Sequence, residues 1–237
     1  MVGGRAVIEL IGLDGDDTLW HTESLFSVTQ AAFRDLLAPY VSDADLDDRL
    51  VATERRNIRL FGYGIKGFTL AMIETAIEVS AGRVSGTDVQ SIIDAGKAML
   101  EHPVELLDGV QPALEQLRDA GHRLVLVTKG DLFDQESKLA RSGLAELFHD
   151  VQVVSEKDEV TYRRVLAIHH VDPAAFLMVG NSVRSDVLPV LAVGGRAVHV
   201  PYPLTWALEV AELGEQHQGS CWELSSLSEL PALVEQL

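Results

Sequence analysis

Two aspartates separated by a single glycine, Asp14 and Asp16, carry the strongest chemical signal in the chain. They follow an apolar run, Ala6-Val7-Ile8 and then Leu10-Ile11, whose β-branched residues predict a buried strand delivering both acids to its C-terminal end. Gly15 lets the chain turn there, so that two carboxylates crowd one small volume. Like charges a few Å apart are costly unless a cation sits between them. Hard oxygen donors in that arrangement suit Mg²⁺, which is held by one or two carboxylates together with substrate phosphate. The spacing therefore predicts a site that handles phosphate. A helix-capping loop is the alternative reading of Asp14-Gly15-Asp16-Asp17-Thr18, and Asp17 is assigned to it.

Three later strand ends offer matching groups. Arg123–Val127 reads as a buried strand that stops at Thr128-Lys129-Gly130-Asp131, where a hydroxyl, a cation and a helix N-terminus make a phosphate cradle. Thr128 reads equally well as a helix cap. Val151–Val154 is followed by Lys157, a surface charge by habit but here the third phosphate-compatible group at the same sheet edge. Phe176–Val179 leads into Gly180-Asn181-Ser182-Val183-Arg184-Ser185-Asp186, in which Asp186 is either a metal ligand or an acid favoured by a helix dipole. The adjacent His169 and His170 do not share a helix face and are read as surface or helix-end residues. Gly62-Tyr-Gly-Ile-Lys-Gly67 matches a dinucleotide-binding pattern by letter, but helical sequence precedes it where a strand is required. It is read as a helix-to-helix loop from which Tyr63 and Lys66 reach toward a substrate.

The elements that must position these groups alternate after Pro103. Helices over 109–120, 132–141, 162–169 and 187–193 separate strands at 123–127, 151–154, 176–179 and 196–200, with a last edge at 221–224 and a terminal helix over 227–234. This is an α/β, Rossmann-like parallel sheet, formed by residues 1–19 and 104–237. Residues 20–103 read as an inserted four-helix cap. Leu25, Phe33 and Leu37 mark its first helix; Leu46, Leu50 and Ile58 mark the second, opened by Ser42 and Asp45. Phe68, Met72, Ala76 and Ile77 mark the third, and Ile92 and Met99 the fourth, opened by Ser85 and Asp88.

Composition agrees with an enzyme of this size: 237 residues, 47% hydrophobic, enough for a core domain with an insert. A formal net charge of -17 excludes nucleic acid as the expected partner, because phosphate backbones demand basic patches. No apolar run reaches the ~20 residues of a membrane span, and Met1-Val2-Gly3-Gly4-Arg5 leads into a strand without a signal-peptide pattern, so a cytoplasmic location is expected. Cys221 is the single cysteine, which excludes a disulfide framework and predicts a buried structural thiol.

The set and its order resemble the haloacid dehalogenase-like hydrolase superfamily. Its first motif, D-x-D-x-T, matches Asp14, Asp16 and Thr18; its second, a Thr or Ser ending a strand, matches Thr128; its third, a lysine, matches Lys157. The fourth, G-D-x-x-x-x-D, matches Gly180, Asn181 and Asp186, with Asn in place of the usual Asp at 181. The helical insert resembles the first cap type of that family. The resemblance implies a Mg²⁺-dependent phosphatase in which Asp14 becomes transiently phosphorylated. Asp16 would serve as acid and base with a pKa above that of Asp14, and Thr128 and Lys157 would neutralise the phosphoryl oxygens. Asp14, the backbone carbonyl of Asp16, Asn181 and Asp186 would hold the metal. The implied substrate is a small phosphorylated metabolite, with a phosphomutase, a dehalogenase or a non-catalytic phosphate-binding protein as alternatives.

Overall fold

The computed structural model describes residues 7–204, 206–212, 214 and 219–237. In chain order, β1 (Leu10–Leu13) is followed by α1 (Glu23–Leu37), α2 (Asp43–Phe61), α3 (Ile65–Val79) and α4 (Gly86–Glu101). Then come α5 (Val110–Asp119), β2 (Arg123–Lys129), α6 (Leu132–Ser142), β3 (Asp150–Val154), α7 (Glu159–His169) and β4 (Phe176–Gly180). A π-helical turn (Val183–Val187) runs into α8 (Leu188–Ala192), and β5 (Arg196–His199), β6 (Cys221–Glu223) and α9 (Leu230–Val234) complete the chain.

The strands form one parallel sheet in the order β3-β2-β1-β4-β5-β6. β1 lies at its middle with all four residues buried, Leu13 standing opposite Leu126 on one side and Val179 on the other. Strand order reverses there, and the C-terminal side of such a reversal is where open α/β sheets bind ligands. The strand begins later than the apolar run suggests. Val7 is exposed and pairing starts with Glu9 N donating to Ala175 O at 2.9 Å, while the Ala6 end of the expected strand lies outside the described residues.

Alternation along each strand feeds two apolar layers. Ile11, Leu13, Leu124, Leu126, Leu177 and Val179 pack with Val110, Leu114 and Leu117 of α5. Leu10, Val125, Val127, Phe176 and Met178 pack on the other face with Tyr162, Val165 and Leu166 of α7. Both faces are thus covered, which is why the strands read as continuous apolar runs. Gly12 is required at the centre, because a Cβ there would stand 2.8 Å from Met178 Sδ and from Phe176 Cζ.

The chain divides into two compact units. One runs to His21 and resumes over Val104–Lys129 and Gln135–Leu237; the other comprises Thr22–Pro103 and Gly130–Asp134. The second unit has its own core, in which Phe33, Leu37, Leu46, Leu50, Phe68, Met72, Ile92 and Met99 are buried. Its α4 opens with a full capping box: the Ser85 side chain accepts from Asp88 N, and Asp88 accepts from Ser85 N. Ile77, placed inward by helical spacing, is exposed instead. Gly62 and Gly64 take φ of 74° and 104°, making the tight α2–α3 turn that glycine permits, and no strand precedes them. The dinucleotide pattern is therefore a turn. Lys66 pairs with Asp131 at 2.8 Å. Among the described residues no helix is long and apolar enough to cross a membrane.

Overpacking of this kind costs about 1–3 kcal/mol in a well-filled core. Gly12→Ala is expected to lower the urea midpoint accordingly; an unchanged midpoint would mean that the sheet centre is looser than its contacts indicate.

Candidate active site

Past β1 the backbone stays on the strand line for one more residue, with Asp14 N donating to Val179 O at 2.9 Å. It then closes a tight turn in which Gly15 O accepts from Thr18 N at 3.2 Å and from Leu19 N at 2.8 Å. Asp17 takes φ of 61°, a left-handed conformation that Asp tolerates better than most residues, so it shapes this turn; the helix-capping role expected of it is not seen, since α1 begins at Glu23 with Thr22 at its N-cap position. A Cβ at position 15 would stand 2.9 Å from the Trp20 ring and 3.4 Å from Thr128 Oγ1, so the end of β2 lies against this turn.

Asp14 and Asp186 converge on one ammonium. Lys157, 4% exposed, donates to Asp14 Oδ1 at 2.5 Å and to Asp186 Oδ1 at 2.6 Å. Asp186 reaches that point from the π-helical turn, a rare element that recurs at functional sites. The sequence pattern starts this helix at 187; it opens four residues earlier as the wide turn. Ser182 caps it by accepting from Ser185 N at 3.0 Å, while Ser182 N donates to Asp186 Oδ2 at 3.0 Å. Gly180 leaves the room, since a Cβ there would fall on the Asp186 carboxylate. Thr18 ties the two central strand ends: its hydroxyl donates to Asp14 Oδ2 at 3.2 Å and accepts from Asn181 N at 3.0 Å.

Burial pushes the Asp14 carboxyl up; the Lys157 charge opposes this, Asp186 adds to it, and the result is about 7. For Lys157 burial alone would depress the pKa, but the two adjoining carboxylates prevail and hold it above the usual lysine range.

Asp16 faces different partners. Trp20 Nε1 donates to its Oδ1 at 2.7 Å, Lys138 Nζ to the same oxygen at 3.0 Å, and Gln135 Nε2 to Oδ2 at 2.9 Å. Burial would raise its pKa, but the Lys138 charge and these hydrogen bonds bring it below the ordinary value. The resemblance implies the opposite order, with Asp16 above Asp14. The three donors are the reason for the reversal.

Thr128 is 1% exposed, and its hydroxyl donates to Lys129 O at 3.3 Å. It does not cap α6; Asp131 does, its carboxylate accepting from Asp134 N at 3.1 Å. Lys129 turns its ammonium to Glu209 at 2.5 Å and Ser185 at 2.9 Å, with Glu156 at 3.5 Å. Glu209 also accepts from Ser182 Oγ at 2.6 Å and Ser185 Oγ at 2.5 Å. Burial would raise its pKa, but Lys129 and the two serines keep the carboxylate low.

Gln135, Lys138 and Glu209 do not stand out in the sequence. The first two carry a faint signal, lying three residues apart on an amphipathic helix; Glu209 carries none. His169 does end α7, but it is buried rather than on the surface, with Nε2 3.2 Å from Asp150 and Nδ1 3.2 Å from Arg123. Cys221 is half-buried, and burial pushes its thiol up.

Among the described residues no three of His, Cys, Asp and Glu are grouped as a metal-binding set. Asp16 has turned its carboxylate toward Lys138, which leaves Asp14 and Asp186 as the converging acids beside the amide of Asn181. The donors are nonetheless all hard oxygens, and two carboxylates aimed at one positive charge fit a small divalent cation.

A parallel α/β sheet whose strand ends carry an aspartate–lysine centre is the class that this fold and site define. Residues 8–194 match the haloacid dehalogenase-like hydrolase family, and the chain belongs to it. A haloacid dehalogenase-like family hydrolase from Xanthomonas campestris is 44% identical, with a TM-score of 0.87 over 99% of this chain and 93% of that one. A glyceraldehyde 3-phosphate phosphatase of Pyrococcus abyssi is 28% identical over 99 residues, 40% of this chain and 42% of the relative's own length. A 2-haloacid dehalogenase from Pseudomonas syringae shares the fold at 23% identity, with a TM-score of 0.62 over 97% of this chain and 99% of that one.

Because Asp14 titrates at about 7 in the fold against an ordinary value of 3.8, the folded chain holds this proton more tightly than the unfolded chain. Its ionisation therefore lowers stability as pH rises through that window. With divalent cations chelated, the melting temperature of Asp14→Asn minus that of the wild type is expected to climb from about pH 4 to about pH 7. A constant difference would mean that the carboxyl titrates normally.

Proposed function

We propose that the protein is a Mg²⁺-dependent phosphomonoester hydrolase that acts on a small phosphorylated metabolite through an aspartyl-phosphate at Asp14. One observation carries this reading: two carboxylates, Asp14 and Asp16, stand two residues apart in opposite electrostatic settings, one on Lys157 and the other on Lys138. Enzymes divide nucleophile and acid–base roles by giving paired carboxylates different environments; a divalent cation beside Asp14 would lower the pKa of its carboxyl and favour the ionised, attacking form. A dehalogenase would use the nucleophile but has little use for the second acid. The phosphatase activity named for the Pyrococcus abyssi relative supports the same choice.

In the first half of the reaction an Asp14 oxygen attacks phosphorus and the bond to the ester oxygen breaks; the leaving alcohol takes its proton from Asp16, which must first be protonated against the lowering by Lys138. In the second half water attacks phosphorus, Asp16 takes its proton, and the bond to Asp14 breaks, releasing phosphate. Lys157 holds Asp14 in place and, with the Thr128 hydroxyl, offsets charge on the phosphoryl oxygens. Asp14, the Asp16 carbonyl, Asn181 and Asp186 would hold Mg²⁺, which when bound supplies charge neutralisation at the transferring group. Asn181 donates an uncharged oxygen, so Asp186 contributes much of the charge.

Mg²⁺-dependent release of phosphate from an aryl phosphate is expected, with a loss of at least about 10³-fold in Asp14→Asn; equal turnover by that variant would sink the mechanism. Asp186→Ala is expected to raise the Mg²⁺ concentration needed for half-maximal rate by about tenfold or more. An unchanged titration would remove Asp186 from the metal's ligands. A panel of phosphorylated metabolites assayed for both free phosphate and isomerised product separates hydrolase from mutase.

A further inference from the structure

The carboxylate of Asp16 is gripped from behind. Gln135 and Lys138 lie three apart on α6 and so share one face of it. From there the first donates to Oδ2 at 2.9 Å and the second to Oδ1 at 3.0 Å, while Trp20 Nε1 reaches Oδ1 at 2.7 Å. The donors are buried, Gln135 and Trp20 to 1% exposure and Lys138 to 8%. The Asp16 side chain itself is 29% exposed. Three buried groups thus fix both oxygens of a half-buried carboxylate.

This grip is kept against a penalty. Gln135 Nε2 is shared between Asp16 Oδ2 and Lys129 O, the latter at 3.1 Å, which determines how the amide is turned. Its Oε1 is left buried with no hydrogen-bond partner among the described residues. An unsatisfied buried carbonyl is a penalty that a leucine at 135 would avoid. Lys138 likewise keeps an ammonium nearly out of water where an apolar side chain would pack without one. Stability alone does not select this pair.

We infer that Gln135 and Lys138 are positioning residues that aim Asp16 as the base for the hydrolytic water. The inference rests on the phosphatase reading and adds to it the side chains that make the second half-reaction fast. In that half the new bond joins the water oxygen to phosphorus, the bond from phosphorus to Asp14 breaks, and the water proton passes to Asp16. A base must lie within hydrogen-bond reach of that proton, so rotation of a freed Asp16 about either side-chain torsion removes it from service. Leaving groups that depart as stable anions do not need Asp16 in the first half. Loss of the grip should therefore slow one half-reaction and spare the other.

p-Nitrophenyl phosphate tests this, because nitrophenolate leaves unprotonated. For Gln135→Leu and Lys138→Met, kcat is expected to fall about 10–100-fold, the effect of a misplaced base. KM should fall with it, leaving kcat/KM within about threefold of wild type, as happens when a later step becomes limiting. Rapid mixing should show a burst of one nitrophenolate per enzyme, and acid-quenched protein should retain phosphate on Asp14. Lys138→Arg, which keeps the charge, should restore most of kcat. Parallel loss of kcat and kcat/KM without a burst in soluble, folded variants overturns the inference and leaves Asp16 merely braced. Unchanged kcat in both variants overturns it equally. Turnover undiminished in Asp14→Asn, or a wild type inert toward all phosphate esters, overturns the underlying reading and this inference with it.

Discussion

A single buried ammonium holds the C-terminal ends of the central strands together. Lys157 contributes one positive charge, Asp14 and Asp186 contribute two negative ones, and all three are nearly excluded from water. Removing Lys157 from such a cluster would leave two adjoining buried carboxylates without a counter-charge, typically destabilising by about 3–5 kcal/mol. The consequences spread through the backbone. β1 must end where Asp14 can meet the lysine, β3 must be followed closely enough by Lys157 to reach inward, and the chain after β4 must widen into a π-helical turn to bring Asp186 back. Gly180 exists in that geometry because the Asp186 carboxylate occupies the volume of its side chain.

The second carboxylate is handled by a separate set of donors. Asp14 is raised by burial and by its acidic neighbour; Asp16 is lowered by a lysine, an indole and an amide. Two acids of identical type and nearly identical position thereby acquire different chemistry. A third carboxylate, Glu209, performs a related service one layer out, binding Lys129 and the two serines of the π-helical turn. It couples the end of β2 to the turn after β4 without passing through β1, so the strand ends are braced both directly and through a loop.

Much of this is legible in the chain. Buried parallel strands announce themselves as short apolar runs, helices by their period and caps, and acids or lysines just past strand ends stand out because little else in the core is charged. Asp14, Thr18, Lys157 and Asp186 meet for that reason. The Gly62–Gly67 pattern, conversely, shows how a letter match fails when the element before it is a helix. His169 reads as a surface or helix-end residue; it does end α7, but its burial depends on Asp150 and Arg123, which neighbouring sequence does not reveal.

The sequence by itself determined the parallel α/β sheet, the helical insert and which strand ends carry acids and a lysine, since propensity, periodicity and turn preference act within a few residues. Only the tertiary structure decided where each side chain points. Gln135 and Lys138 meet Asp16 from 119 and 122 positions away, and Glu209 meets Lys129 from 80. At such separations partners are chosen by the register of packed elements and by the demand that every buried charge find its opposite. No local pattern records that demand, which is why the environments that distinguish Asp14 from Asp16 emerged only with the fold.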